Sequence, residues 1–94
     1  MTKYKLSIEA KEDLIRIHQY GIKRFGMNQA DKYFDSFFDY FEIIAKQPLS
    51  FEAVDFIKHG YRRCVCGVDT IYFRIADDVV EIMTIIGRQD LNQL

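Results

Sequence analysis

Apolar positions change their spacing along this chain, and each change predicts a different element. Tyr4, Leu6 and Ile8 alternate with Lys5 and Ser7, the period of two that marks a short opening strand. Ser7 is then placed to cap a helix whose first turn carries Glu9, Glu12 and Asp13, and Ala10, Leu14, Ile17 and Gly21 fall on one helical stripe. Lys23 and Arg24 suit the last turn, where cations complement the helix dipole. Gly26 sits where a helix ends in a left-handed residue, and Asn28 with Asp31 reads as the cap of a second helix. Ala30, Tyr33, Phe34, Phe37, Phe38, Phe41, Ile44 and Ala45 form its apolar stripe. Gln47-Pro48 ends it, because proline removes a backbone donor and the residue before proline avoids the α region.

Beyond the proline, β-branched and aromatic residues predict strands over 61–65, 68–75 and 79–86, with a brief pairing over 54–57. Gly60, Cys66-Gly67 and Asp77-Asp78 mark the turns. So short a link between the two helices forces an antiparallel hairpin, and the link through Ala76, Asp77 and Asp78 makes a β-hairpin. The expected fold is α+β, in the order β-α-α-β-β-β. An N-terminal strand and an α-helical hairpin pack on a twisted, mainly antiparallel sheet, as one domain over residues 1–94.

Composition adds bounds. With 49% apolar residues, eight Phe, six Tyr and no Trp, the chain is a folded globule rather than a disordered tail. A net charge of −1 removes the whole-domain basic field of a simple nucleic-acid binder. Residues 58–74 nevertheless set Lys58, Arg62, Arg63 and Arg74 against Asp69 alone, a local positive patch that suits an anion or an acidic partner segment and leaves nucleic-acid contact open. Cys64 and Cys66 point to the same face of a strand, too far apart for an easy disulfide, and read as reduced, small, buried apolar residues. Two thiols do not close a zinc site, so no metal is expected, and no cofactor-binding loop is visible. No apolar run approaches the roughly 20 residues of a membrane span, and no signal-peptide core follows the N-terminus, which makes the cytoplasm the expected compartment and a membrane contact unexpected.

Several segments, taken in order, resemble a known family. Ser7-Ile8-Glu9-Ala10-Lys11-Glu12-Asp13-Leu14 opens the hairpin, and Phe25-Gly26 precedes the second helix. Gln29-Ala30 and Tyr33 lie inside that helix, and Ala45-Lys46-Gln47-Pro48 ends it. Gly60-Tyr61-Arg62-Arg63, Ile71-Tyr72-Phe73-Arg74 and Ile85-Ile86-Gly87-Arg88-Gln89-Asp90 follow. Together they resemble the ParE/RelE superfamily of small toxins from bacterial type II toxin-antitoxin pairs, more closely its ParE branch. The resemblance implies the same β-α-α-β-β-β fold and a toxin held in a hetero-oligomer with a cognate ParD-like antitoxin. It also implies a target: ParE-like members are associated with inhibition of DNA gyrase, whereas RelE-like members cut messenger RNA in the ribosome.

The residues favour the first. A ribonuclease of the RelE kind needs cations on the phosphate, a group to take the 2′-hydroxyl proton and a group to protonate the leaving oxygen. Residues 87–94 hold neither Tyr nor His, and their only cation is Arg88. The expected catalytic set is therefore empty, and the expected target-binding residues are Arg62, Arg63, Arg74, Arg88, Gln89 and Asp90. Guanidinium groups suit bidentate contacts with carboxylate or phosphate. Arg62 and Arg63 are adjacent on a strand and point to opposite faces, and the bland alternative pairs one of them with a carboxylate such as Asp69. The alternative function is a RelE-like ribosome-dependent messenger endoribonuclease using His59 as proton carrier with Arg62 or Arg63 on the phosphate. His59 otherwise reads as a solvated loop residue, and His18 as a helix residue. A further alternative is a degenerate toxin kept as an antitoxin-binding component, suggested by Thr84 and Gly87, where many relatives carry Arg and His.

Overall fold

A computed structural model describes residues 3–87, so the positions of Arg88, Gln89 and Asp90 lie outside the described residues. The chain runs β1 (Lys3–Leu6), α1 (Ile8–Phe25), α2 (Met27–Lys46), a 3-10 turn (Pro48–Ser50), β2 (Glu52–Ala53), β3 (Arg62–Cys66), β4 (Asp69–Ala76) and β5 (Val79–Gly87). The strands form one sheet in the order β1-β5-β4-β3-β2. Among the described residues only the β1–β5 pair is parallel. The α+β architecture read from the sequence is thus present, with a two-residue β2 added at one edge.

Ser7 starts α1 by accepting from the Ala10 amide at 3.0 Å, while its hydroxyl donates to the Met83 carbonyl at 2.7 Å. One side chain therefore caps the helix and ties it to β5. A single residue joins the helices. Gly26, at φ 90°, donates to Ile22 O and accepts from Ala30 N, both at 3.0 Å. Its positive φ is available to glycine at little steric cost. The expected Asn28 cap is corrected here: α2 begins at Met27 with Gly26 before it and no side-chain cap, because the one-residue link leaves no room for a separate one.

The main core lies between the hairpin and one sheet face. Leu14 and Ile17 from α1 and Phe37, Phe41 and Ile44 from α2 meet Cys64, Ile71, Phe73, Val80, Ile82 and Ile85 from the strands. Both cysteines are free and buried, as the sequence suggested. Burial raises the Cys64 thiol and pushes that of Cys66 up to about 11, which keeps both protonated and unreactive at neutral pH. A smaller cluster of Val54, Tyr61, Tyr72 and Ile86 forms on the opposite face.

The brief pairing expected over 54–57 falls instead on Glu52–Ala53. Val54 is fully buried, but a turn places it there: Ile57 N and Lys58 N both donate to Val54 O, at 2.8 and 3.0 Å. Two-residue turns at 67–68 and 77–78 close the later hairpins, with Gly67 at φ 64° and Asp77 at φ 56°. Between the Tyr72–Thr84 and Phe73–Ile82 pairs the register shifts, which leaves Met83 as a bulge in β5.

Candidate functional site

The strand register decides which face each arginine occupies. Arg62 lies opposite Phe73, on the helix side, and its Nη1 donates to the Phe51 carbonyl at 2.7 Å. Arg63 lies opposite Tyr72, on the outer face, and grips Glu52 with two bonds, Nε to Oε1 at 3.2 Å and Nη2 to Oε2 at 3.1 Å. Arg74 shares that outer face, two residues along from Tyr72, and its Nε donates to Glu81 Oε1 at 2.6 Å. Lys5 reaches the other Glu81 oxygen at 3.1 Å. Hydrogen bonds from Arg74 and then Lys5 hold the Glu81 carboxyl below its usual range.

The surplus cation count of residues 58–74 is therefore offset from outside that stretch, by Glu52 and Glu81. The suggested Arg63–Asp69 pair is replaced by Arg63–Glu52, because Glu52 is the cross-strand neighbour of Arg63 in the β2–β3 register. Ion pairs at a solvated surface hold loosely, because water screens them and ordering long side chains costs entropy.

The residues of the ribonuclease alternative do not share partners. The side chain of His59 is fully exposed, with Nδ1 3.7 Å from Asp55, whose Oδ1 already accepts from the Gly60 amide at 2.7 Å. His18 serves the scaffold instead. Its Nε2 stands 2.7 Å from Asp31 Oδ1, linking α1 to α2, and its ring lies against Phe34 with centroids 5.0 Å apart. Among the described residues no group of three His, Cys, Asp or Glu could hold a metal ion, and no helix is long and apolar enough to cross a membrane.

Sequence reasoning missed a concavity of about 790 Å³ between the hairpin and the β3–β4 turn. Ile17, Tyr20 and Phe25 of α1, Tyr33 of α2, and Val68 and Asp69 line it, together with the cationic side chains of Arg16 and Lys32. Its rim is apolar and open: Tyr20, Phe25 and Val68 are 56%, 57% and 66% exposed. Its floor is polar. Asp69 is 6% exposed, and its Oδ2 accepts from the Tyr33 hydroxyl at 2.7 Å, a hydroxyl that also lies 3.0 Å from Cys66 O. Burial and then the Asp69 contact push the Tyr33 phenol well above its ordinary value, so it stays protonated as donor. Gly67 permits the arrangement, since a Cβ there would lie 3.1 Å from the Tyr33 hydroxyl. One signal was present in the sequence: a tyrosine within an apolar helical stripe needs a partner for its hydroxyl.

Comparison with known proteins supplies the context for this geometry. The family described as ParE toxin of type II toxin-antitoxin system, parDE, matches residues 4–91. Toxin ParE1 of Caulobacter vibrioides is 35% identical over 75 residues, spanning 80% of this chain and 78% of that protein. A solved structure described as the chromosomal ParDE TA system from P. aeruginosa superposes with a TM-score of 0.82 at 17% identity, covering 93% of this chain and 96% of the other. That last likeness concerns the fold alone.

Proposed function

Because this chain belongs to the ParE toxin family of type II toxin-antitoxin systems, we propose that it arrests growth by binding DNA gyrase without catalysis and is neutralised by a ParD-like antitoxin. One observation carries the non-enzymatic part. The three residues of the ribonuclease alternative are each turned a different way: Arg62 to the Phe51 carbonyl, Arg63 to Glu52, and His59 out into solvent near Asp55. Proton transfer in a messenger ribonuclease needs such groups to converge on one reacting atom.

The outer sheet face is the target-facing surface in this reading. Arg63 and Arg74 share it, half-exposed and held by loose surface pairs, and Arg88, Gln89 and Asp90 follow directly in the chain from β5. Arg62, on the helix side, contributes at the margin. Support for the antitoxin comes from the family description and from the open apolar groove, a surface of the kind that marks a protein contact.

Inducing the chain and its variants in a bacterial host tests this. Growth arrest is expected from the wild-type chain and from His59→Ala alike, and a tenfold or greater loss of killing from the double variant Arg63→Ala/Arg74→Ala. Loss of killing in His59→Ala, with the arginine variant unimpaired, would favour the ribonuclease.

A further inference from the structure

Between β2 and β3 the chain makes a turn over residues 54–61 that is fixed at its ends and along its length. Val54 N donates to Tyr61 O at 2.8 Å, Tyr61 N donates to Lys58 O at 3.1 Å, and Asp55 Oδ1 accepts from Gly60 N at 2.7 Å. Together with the two bonds that Val54 O receives, these hold the backbone in one shape. Both ends are anchored in the outer sheet face, where Val54 and Tyr61 pack with Tyr72 and Ile86. Lys58 folds back over the turn, its Nζ 5.3 Å from the centre of the Tyr61 ring.

Phe56 stands out from this frame, 76% exposed. A lone exposed phenylalanine on a flexible loop signals little. Here the backbone beneath the ring is already ordered, so a partner that buries it gains the apolar contact without first freezing a loop. The turn also adjoins the outer arginines. β3 opens with the Arg62–Phe73 pair, so Tyr61 comes alongside Arg74, and Arg63 follows two residues later on the same face. Residues 54–61 carry one acid, Asp55, and one cation, Lys58, and so offer no field that draws in a phosphate backbone. The partner this fits is a protein.

We infer that the 54–61 turn is a preformed anchor of the target contact, with the Phe56 ring entering an apolar pocket of the target protein while Arg63 and Arg74 meet carboxylates at the edge of that pocket. This rests on the target reading given above. A buried aromatic ring ringed by polar contacts is the usual centre of a tight protein interface. Asp55 is a positioning residue, since its carboxylate closes the turn on Gly60 and so fixes the neighbouring Phe56.

The probe is purified gyrase, whose supercoiling is titrated with the wild type, Phe56→Ala, Asp55→Ala, Asp55→Asn and Ile15→Ala. Thermal melts check that each variant is folded. Phe56→Ala should melt within about 3 °C of the wild type, because an exposed ring adds little to the fold. It should nevertheless need about tenfold more protein, or beyond, to inhibit. Ile15→Ala removes an exposed apolar side chain from α1, away from the outer face, and should stay within about twofold of wild type. Asp55→Ala takes away the acceptor for Gly60 N and should weaken inhibition about fivefold, whereas Asp55→Asn keeps an oxygen there and should stay within about twofold. Inhibition by Phe56→Ala within about threefold of wild type, or Asp55 variants that behave alike, overturns the inference and leaves the target reading intact. A wild type that leaves supercoiling undisturbed sinks the target reading and this inference with it. Binding of the chain to duplex DNA without gyrase, lost in Phe56→Ala, would assign the turn to nucleic acid and overturn the inference as well.

Discussion

Where β1 stops alongside Ile82, the backbone of β5 still presents polar groups toward α1, and side chains take the place of a strand there. Asp13 Oδ2 accepts from Ile85 N and from the Thr84 hydroxyl, both at 2.9 Å, while Arg16 Nη2 lies 3.3 Å from Ile85 O and from Asp13 Oδ1. In the sequence Asp13 reads as a helix-dipole residue and Thr84 as a departure from relatives. Their mutual bond was not legible, because 71 residues separate them and nothing in local spacing brings them together. Asp13→Ala should cost about 1–3 kcal/mol in urea unfolding, the usual penalty for a part-buried amide that loses its acceptor. A loss below about 0.5 kcal/mol, typical of an uninvolved surface position, would contradict the role given to Asp13.

At the scale of elements, the helices and the three long strands were legible because their periods are long and unbroken. Shorter features were not. Val54 is apolar and buried, which mimics a strand residue, yet the local backbone closes a turn onto its carbonyl. The α2 start was misplaced because Asn28 has the right chemistry for a cap, while the one-residue link through Gly26 fixes the start earlier. Cross-strand charge is likewise invisible until register is known, and the row Arg74–Glu81–Lys5 joins β4, β5 and β1. The pKa of Glu81 is lowered in the folded chain, so its contribution to stability is complete above the unfolded carboxylate value of about 4.3 and is lost as pH falls through the folded value. The urea midpoint of the wild type should therefore exceed that of Glu81→Gln by a constant margin from pH 7 to about 5. That margin should shrink below about pH 4, and one that persists to about pH 2 would contradict the assignment.

For the whole molecule, fold and site differ in how far sequence carries them. The fold follows from patterning, since a hairpin with two apolar stripes and a sheet with one apolar face have one economical way to cover each other. The site does not. Arginines expected to contact a target hold Glu52, Glu81 and the Phe51 carbonyl, partners seven to eleven residues away that only the sheet brings alongside. The groove needs both helices and the β3–β4 turn at once, so its polar floor emerges only from tertiary structure. Two surfaces result, an outer sheet face with arginines in loose pairs and an apolar groove over a buried carboxylate. Under the proposed function, target and inhibitor can use them separately.

The most direct test of the central claim is DNA supercoiling by purified gyrase in the presence of the purified chain, with ribosome-bound messenger RNA monitored in parallel. The account predicts dose-dependent inhibition of supercoiling, relieved by the product of the adjacent reading frame, with the messenger left intact. Undisturbed supercoiling together with cleavage of the messenger would contradict it.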